Sequence, residues 1–147
     1  PLAVLSLVLN LILISVIIVI LSTLITRPAA PLAACPDGWV GYRGKCYYFS
    51  EPRANWTDSQ KNCSAHGASL AGIDSQQEMD FLRRNKGSSD HWIGLQKEPE
   101  QAWKWANGTE FNNWFPIAGR EHCAFLSGNN VASTGCRSSQ PWICSKP

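Results

Sequence analysis

At 147 residues the chain has room for one ordinary domain and an appendage. Its 13 basic and 11 acidic side chains leave a net charge of only +2 and form no run, which argues against nucleic acid as a partner. All six cysteines follow residue 34, an even number that reads as a disulfide framework of an oxidising compartment, and the Cys-x-x-Cys and Cys/His spacings of a zinc site are absent.

Residues 1–26 contain no charged side chain. As a helix, residues 2–26 would span about 37 Å, enough to cross a hydrocarbon core of about 30 Å. This is the pattern of a transmembrane signal-anchor. Ala29, Ala30, Ala33 and Ala34 suggest a cleaved signal peptide instead, but its apolar core should run to only about 7–15 residues. Because the chain opens on Pro1, an N-terminal segment is expected to precede it. Asn10 is the one strongly polar residue of the span, suited to a hydrogen bond with a neighbouring helix worth about 1 kcal/mol. No charge in the span offers a handle to a charged adaptor helix. Residues 27–34 form a short Pro/Ala tether reaching about 25 Å when extended. Arg27 alone would draw the C-terminal flank inward. The cysteines and three sequons outweigh it and place the C-terminal domain outside the cell. Those sequons begin at Asn55, Asn62 and Asn107, and Asn62 is the doubtful one because its middle residue is Cys63.

Residues 35–147 are one domain's worth. Cys35 to Cys46 passes through Gly38, Gly41 and Gly44 into Tyr47-Tyr48-Phe49, two short strands whose 11-residue separation suits a local disulfide. Asn55 with Asp58 opens a helix that sets Trp56, Gln60 and Cys63 on one face and stops at Gly67. Residues 68–73 read as a short strand. Ser75 with Glu78 is a capping box for a helix that buries Met79 and Leu82 and ends near Gly87. Asp90-His91-Trp92-Ile93-Gly94-Leu95 is the central strand, where Gly94 lets another backbone come close. Trp103-Lys104-Trp105 is a further strand, Asn107-Gly108 a tight hairpin turn, and Cys123–Leu126 and Trp142–Cys144 the last two strands. Trp56, Trp92, Trp105 and Trp142 are expected in the core, with Trp39, Trp103 and Trp114 partly exposed.

Two helices, Trp92-Ile93-Gly94-Leu95, Trp103-x-Trp105-x-Asn107-Gly108-Thr109 and three cysteines ending in Trp142-Ile143-Cys144 together resemble the C-type lectin-like domain over residues 35–146. The resemblance implies an α+β fold of the long form: two helices, short antiparallel sheets, a long loop and three disulfides, preceded by a single-pass helix. It pairs Cys35 with Cys46, Cys63 with Cys144, and Cys123 with Cys136. The second bridge closes a loop of about 80 residues, worth about 4.5 kcal/mol in the chain-entropy account. Within the family, Gly38-Trp39-Val40-Gly41-Tyr42, Asp90–Leu95, Phe111-Asn112-Asn113-Trp114-Phe115 and Trp142–Pro147 are similar to the natural killer lectin-like subgroup. Its members are the lymphocyte early activation antigen, osteoclast inhibitory lectin, the lectin-like transcript proteins and avian relatives linked to the major histocompatibility complex. The resemblance implies a type II plasma-membrane glycoprotein, often a homodimer, that serves as receptor or ligand for killer-cell lectin-like receptors or binds another cell-surface protein. The tether has no spare cysteine, so any dimer of this chain is expected to be noncovalent.

Two functional classes follow, a protein-recognition module and a calcium-dependent carbohydrate-binding lectin. Sugar-binding members carry Glu-Pro-Asn or Gln-Pro-Asp shortly before the equivalent of Cys123 and Trp-Asn-Asp shortly before that of Cys136. Here those places read Phe115–His122 and Asn129–Gly135, and no Asp or Glu follows Glu121. Calcium takes six to eight oxygens, several of them carboxylates, so neither metal nor cofactor is expected. Catalysis is not expected either: His66, His91 and His122 lack a nucleophile with an orienting carboxylate in any recognisable motif. The expected partner face is Phe115, Arg120, Glu121, His122, Phe125, Arg137, Ser139 and Gln140, which mixes the aromatic and Arg anchors that dominate interfaces with neutral polar groups.

Overall fold

The computed structural model describes residues 1–26 and 34–147, so the tether, apart from Ala34, lies outside the described residues. The chain divides into two units, Pro1–Ala34 and Cys35–Pro147. In the first, α1 (Leu2–Thr26) is a continuous helix whose described side chains are all exposed. By length and composition Leu2–Ile25 suffices to cross a membrane. Two of its hydroxyls are satisfied locally, Ser15 Oγ donating to Leu11 O at 2.9 Å and Thr23 Oγ1 to Ile20 O at 2.8 Å, as an apolar solvent favours.

The second unit begins with β1 (Val40–Tyr42) and β2 (Lys45–Phe49), continues through α2 (Trp56–Ala65), β3 (Ser69–Leu70) and α3 (Gln76–Lys86), and reaches β4 (His91–Gln96). After it come β5 (Lys104–Trp105), β6 (Ile117–Ala118), β7 (Cys123–Leu126), β8 (Val131–Thr134) and β9 (Ile143–Lys146). One sheet has the order β1-β2-β9-β3, so the last strand lies between early ones; the other has the order β5-β4-β7-β8-β6. A bridge between Trp92 and Trp142 links the two.

β4 is central for the reason its sequence gives. His91 to Leu95 are all buried, so an uninterrupted apolar run replaces polar alternation. Its residues divide between two cores. Ile93 and Leu95 join Ile73, Met79, Leu82, Ala124 and Leu126, whereas Trp92 joins Trp56, Leu70, Trp142 and two disulfides. Buried indoles need acceptors: Trp56 Nε1 donates to Ile93 O and Trp92 Nε1 to Ala54 O, each at 2.9 Å. A Cβ on Gly94 would lie 2.5 Å from Leu70 O, so glycine is what admits the β3 backbone.

The bridges are Cys35–Cys46, Cys63–Cys144 and Cys123–Cys136. Both predicted caps form. Asn55 Oδ1 accepts from Asp58 N at 2.8 Å and Ser75 Oγ from Glu78 N at 3.2 Å. The return arm differs from a capping box, because the Glu78 carboxylate accepts from Asp74 N at 2.8 Å. Glu78 is itself buried and accepts a short hydrogen bond from Tyr47 Oη and one from Lys45 Nζ at 3.2 Å, tying α3 to β2. Burial would lower the Lys45 pKa, but the Glu78 and Asp74 carboxylates outweigh it and raise it; burial and the Glu78 hydrogen bond raise that of Tyr47.

Four expectations need correction. The strand expected over residues 68–73 is only Ser69–Leu70. Trp105 is half-buried, because β5 is an edge strand. The hairpin turn is longer than an Asn-Gly pair: Gly108 N donates to Trp105 O at 2.9 Å and Gly108 sits at φ +90°, so Ala106 and Asn107 are the central residues. Finally, β6 and β8 are strands in segments read as loop.

Candidate functional site

The predicted partner face is built around β7, β8 and the disulfide that closes them. Cys123 opens β7, pairs in register with Thr134 of β8 and is bridged to Cys136 over a Cα–Cα distance of 5.1 Å. Arg120–His122, before Cys123, are thereby held beside Arg137, after Cys136. Along β7 the side chains alternate: Ala124 and Leu126 enter one core, while Cys123 and Phe125 face the other. Phe125 is half-buried, between Trp92 of β4 and Ala132 of β8.

Each flank of the face has its own fixing. Residues 119–121 are clipped to β8 by Ser133, whose Oγ donates to Ala118 O at 3.0 Å and accepts from Glu121 N at 3.1 Å. Gly119 turns there at φ +89°, and a Cβ on it would meet that Ser133 Oγ at 2.7 Å. Arg120 and Glu121 are exposed and His122 half-buried. On the other flank Gln140 and Ala54 exchange backbone hydrogen bonds at 3.0 Å, and Trp56 N donates to Cys136 O at 3.0 Å. Arg137 and Ser139 are exposed and Gln140 half-buried on this flank, against the start of α2.

The structure therefore brings together seven of the eight predicted residues. Phe115 is the exception. It is 8% exposed and packs among Trp105, Phe111 and Trp114, with ring centroids 4.5 Å from Phe111 and 4.6 Å from Trp114. Its apolar neighbours in the long loop cover it, so it belongs to the core. The sequon acceptor and cap Asn55 is a neighbour of this face, one residue from the Ala54–Gln140 bridge and half-buried at the start of α2. As sequon acceptors, Asn55 donates Nδ2 to Asp58 Oδ2 at 3.2 Å and Asn62 donates Nδ2 to Asp58 O at 2.9 Å. Asn107 is exposed and uses only its Oδ1, which accepts from Thr109 N at 3.0 Å and Thr109 Oγ1 at 2.5 Å.

The two places where sugar-binding relatives hold calcium lie in this face. There, parallel pairing sets Ile117 beside Val131 and Ala118 beside Ala132. Of the hydroxyls on β8, that of Ser133 is committed to Ala118 O and Glu121 N, and that of Thr134 lies 3.5 Å from Ser138 Oγ. No cluster of three or more His, Cys, Asp or Glu suited to a metal occurs among the described residues. These two stretches carry a single carboxylate, Glu121, and the hydroxyls of Ser133 and Thr134 are already hydrogen-bonded, a donor set poorer in carboxylates than a hard cation prefers.

A cavity of about 560 Å³ lies elsewhere, lined among others by Arg43, Lys45, Asp74, Trp105, Asn107 and Lys146. Sequence reasoning singled out none of these as a group, because they come from four separate segments.

Comparison with known proteins places these features. The Lectin C-type domain family matches residues 52–146. The chain is 49% identical over 116 residues to Early activation antigen CD69 of Homo sapiens, covering 79% of this chain and 58% of that protein. It is 50% identical over 114 residues to C-type lectin domain family 2 member D of Homo sapiens, covering 78% and 60%; thus the chain spans about three fifths of either. With C-type lectin domain family 2 member A of Homo sapiens the identity is 45% over 139 residues, covering 95% and 79%. Among solved structures, the trimeric Kupffer cell C-type lectin receptor Clec4f superposes with a TM-score of 0.67 at 35% identity, covering 74% of this chain and 82% of that one. The C-type lectin domain of murine dendritic cell inhibitory receptor 2, solved in complex with N-glycan, superposes with a TM-score of 0.71 at 25% identity, covering 77% and 98%. The paired bridges, the buried Trp92-Ile93-Gly94-Leu95 strand and these matches agree, and the chain belongs to the C-type lectin domain family.

Proposed function

We propose that this protein is a type II plasma-membrane glycoprotein whose lectin-like unit recognises another protein without calcium, as receptor or ligand for a killer-cell lectin-like receptor. The observation that carries this reading is the β6–β8 pair. Where a sugar-binding member needs carboxylates, Ile117, Ala118, Val131 and Ala132 lie side by side, and the surrounding face offers Arg120, Glu121, Phe125 and Arg137. Similarity to an early activation antigen supports an immune role. All six cysteines are bridged within the lectin-like unit, so a dimer would be noncovalent. The exported orientation places all three sequons on the glycosylated side.

Cells displaying the full chain should be stained with a panel of soluble killer-cell lectin-like receptors, with and without EDTA. Binding to at least one receptor, unchanged by EDTA, is expected. Failure of every receptor, with EDTA-sensitive capture of a glycan array, would replace this reading with that of a sugar-binding lectin.

A further inference from the structure

A cavity of about 370 Å³ opens between the segment leaving β2 and the turn from α3 into β4, with Pro141 completing its wall. Phe49, Ser50, Arg53, Lys86, Ser89 and His91 line it. Lys86 is the anomaly. It is 6% exposed, yet the only ion pairs among the described residues belong to Lys45. An ammonium has three N–H donors. Two are used, toward Gly87 O at 3.2 Å and Ser89 O at 3.0 Å, and the third has no protein acceptor among the described residues. A buried charge held by two neutral carbonyls is under-compensated, since buried charges are normally paired. Asp90, which acts on it electrostatically, is exposed and forms no ion pair with it.

The other walls add charge of the same sign. Arg53 is exposed and makes no hydrogen bond or ion pair among the described residues. His91 is 4% exposed, with Nδ1 fixed on Ser89 O at 2.9 Å. Ser50 is already committed, donating to Pro52 O and accepting from Trp142 N, so it serves the wall and not a ligand. Glu51 also lines the cavity and opposes an anion. With His91 neutral, Lys86 and Arg53 still exceed it by one positive charge.

We propose that this cavity binds an oxyanion, the sulfate, phosphate or carboxylate group of an acidic ligand, with the spare donor of Lys86 and the unpaired guanidinium of Arg53 as its charged contacts. Arginine and lysine divide such work in a recognisable way: the planar fork grips two oxygens and the ammonium acts as a point charge. The site does not rest on the receptor-binding reading, although Pro141 of the cavity wall follows Gln140 of that face.

The test uses the full chain in non-ionic detergent, titrated with sodium sulfate against sodium chloride at constant ionic strength, with the melting temperature as readout. Sulfate also stabilises proteins by exclusion from their surface, an effect that grows without saturating and is common to all variants. The site predicts an additional, saturable rise. Arg53→Ala, at an exposed position, should weaken the apparent sulfate affinity at least fivefold, and Glu51→Gln should strengthen it. Lys86→Met should abolish the saturable component. Repeating the titration with phosphate and with acetate separates a tetrahedral from a planar ligand group, and saturation by either assigns the ligand. A response that is the same in wild type, Arg53→Ala and Glu51→Gln, or that never saturates with any of the three anions, overturns the proposal.

Discussion

Replacing Gly94 by alanine tests the packing on which the domain is built. The new Cβ would stand 2.5 Å from Leu70 O and 3.1 Å from both Leu70 C and Ala71 O. All three are backbone atoms and cannot rotate away. Reaching the 3.4 Å of ordinary contact needs a separation of about 0.9 Å between β4 and β3. That movement breaks the 2.8 Å hydrogen bond from Gly94 N to Ala71 O. Overpacking costs about 1–3 kcal/mol and an unsatisfied buried group about 1–3 kcal/mol, while the stiffer unfolded chain returns about 0.4–1 kcal/mol. The net expectation is a loss of about 2–4 kcal/mol, or a melting temperature lowered by about 10–20 °C for a unit of this size. All seven tryptophans lie in the Cys35–Pro147 unit, so their fluorescence in the intact chain reports on that unit alone. Gly128→Ala is the control, since a Cβ there meets nothing within 4 Å. If Gly94→Ala melted within 2 °C of wild type, the close approach of β3 to β4 would not be what demands glycine.

Three further outcomes follow from the described geometry. Arg137→Ala and Phe125→Ala should each weaken receptor binding by more than about 1 kcal/mol, whereas Lys61→Ala on α2 should leave it unchanged; melting of Phe125→Ala must be measured alongside, because a half-buried ring also packs against Trp92. Burial, only partly offset by the Ser89 carbonyl, lowers the His91 pKa below 6.5, so the unfolded chain takes up that proton first as the pH falls. Stability should thus be flat above about pH 7 and drop by up to about 1.4 kcal/mol per pH unit between 6.5 and the folded value; urea midpoints at pH 7.5 and 5.5 check this, and His91→Asn should lose the difference. Millimolar calcium should leave the melting temperature unmoved, where a site filled at a hundred times its dissociation constant would add about 2.7 kcal/mol.

What was legible in the sequence was local. The caps at Asn55 and Ser75 are satisfied within three residues, and the run from His91 to Leu95 is apolar without interruption, so both could be read from neighbours alone. β6 and β8 could not. They are two and four residues long. Ala132, Ser133 and Thr134 carry no apolar alternation, and only pairing with β7 makes them strands. Phe115 shows the same limit: an aromatic in a polar loop looks like an interface anchor until Phe111 and Trp114 fold over it. The cluster of Lys86, Arg53 and His91 was invisible because two segments more than 30 residues apart meet to make it. Each residue alone reads as an ordinary surface charge or framework histidine.

On the proposed reading, the long loop would let a face of this kind keep its shape without an ion. In a calcium-dependent site the cation itself crosslinks loop and strand, so removing it loosens both. Here the crosslinks are of another kind. The Cys123–Cys136 bridge joins the two edges covalently, the Ser133 hydroxyl bonds on both sides of Gly119, and Ile117 pairs with Val131 in parallel register. None of these depends on metal supply. A face fixed in this way presents Arg120, Glu121 and Arg137 in one geometry, which reduces the ordering cost of binding. Its charged rim then makes the association rate, rather than the integrity of the site, the quantity that responds to ionic conditions. Raising the salt concentration should slow association with the receptor and leave dissociation nearly unchanged, a kinetic pattern opposite to that of a lectin released by chelation.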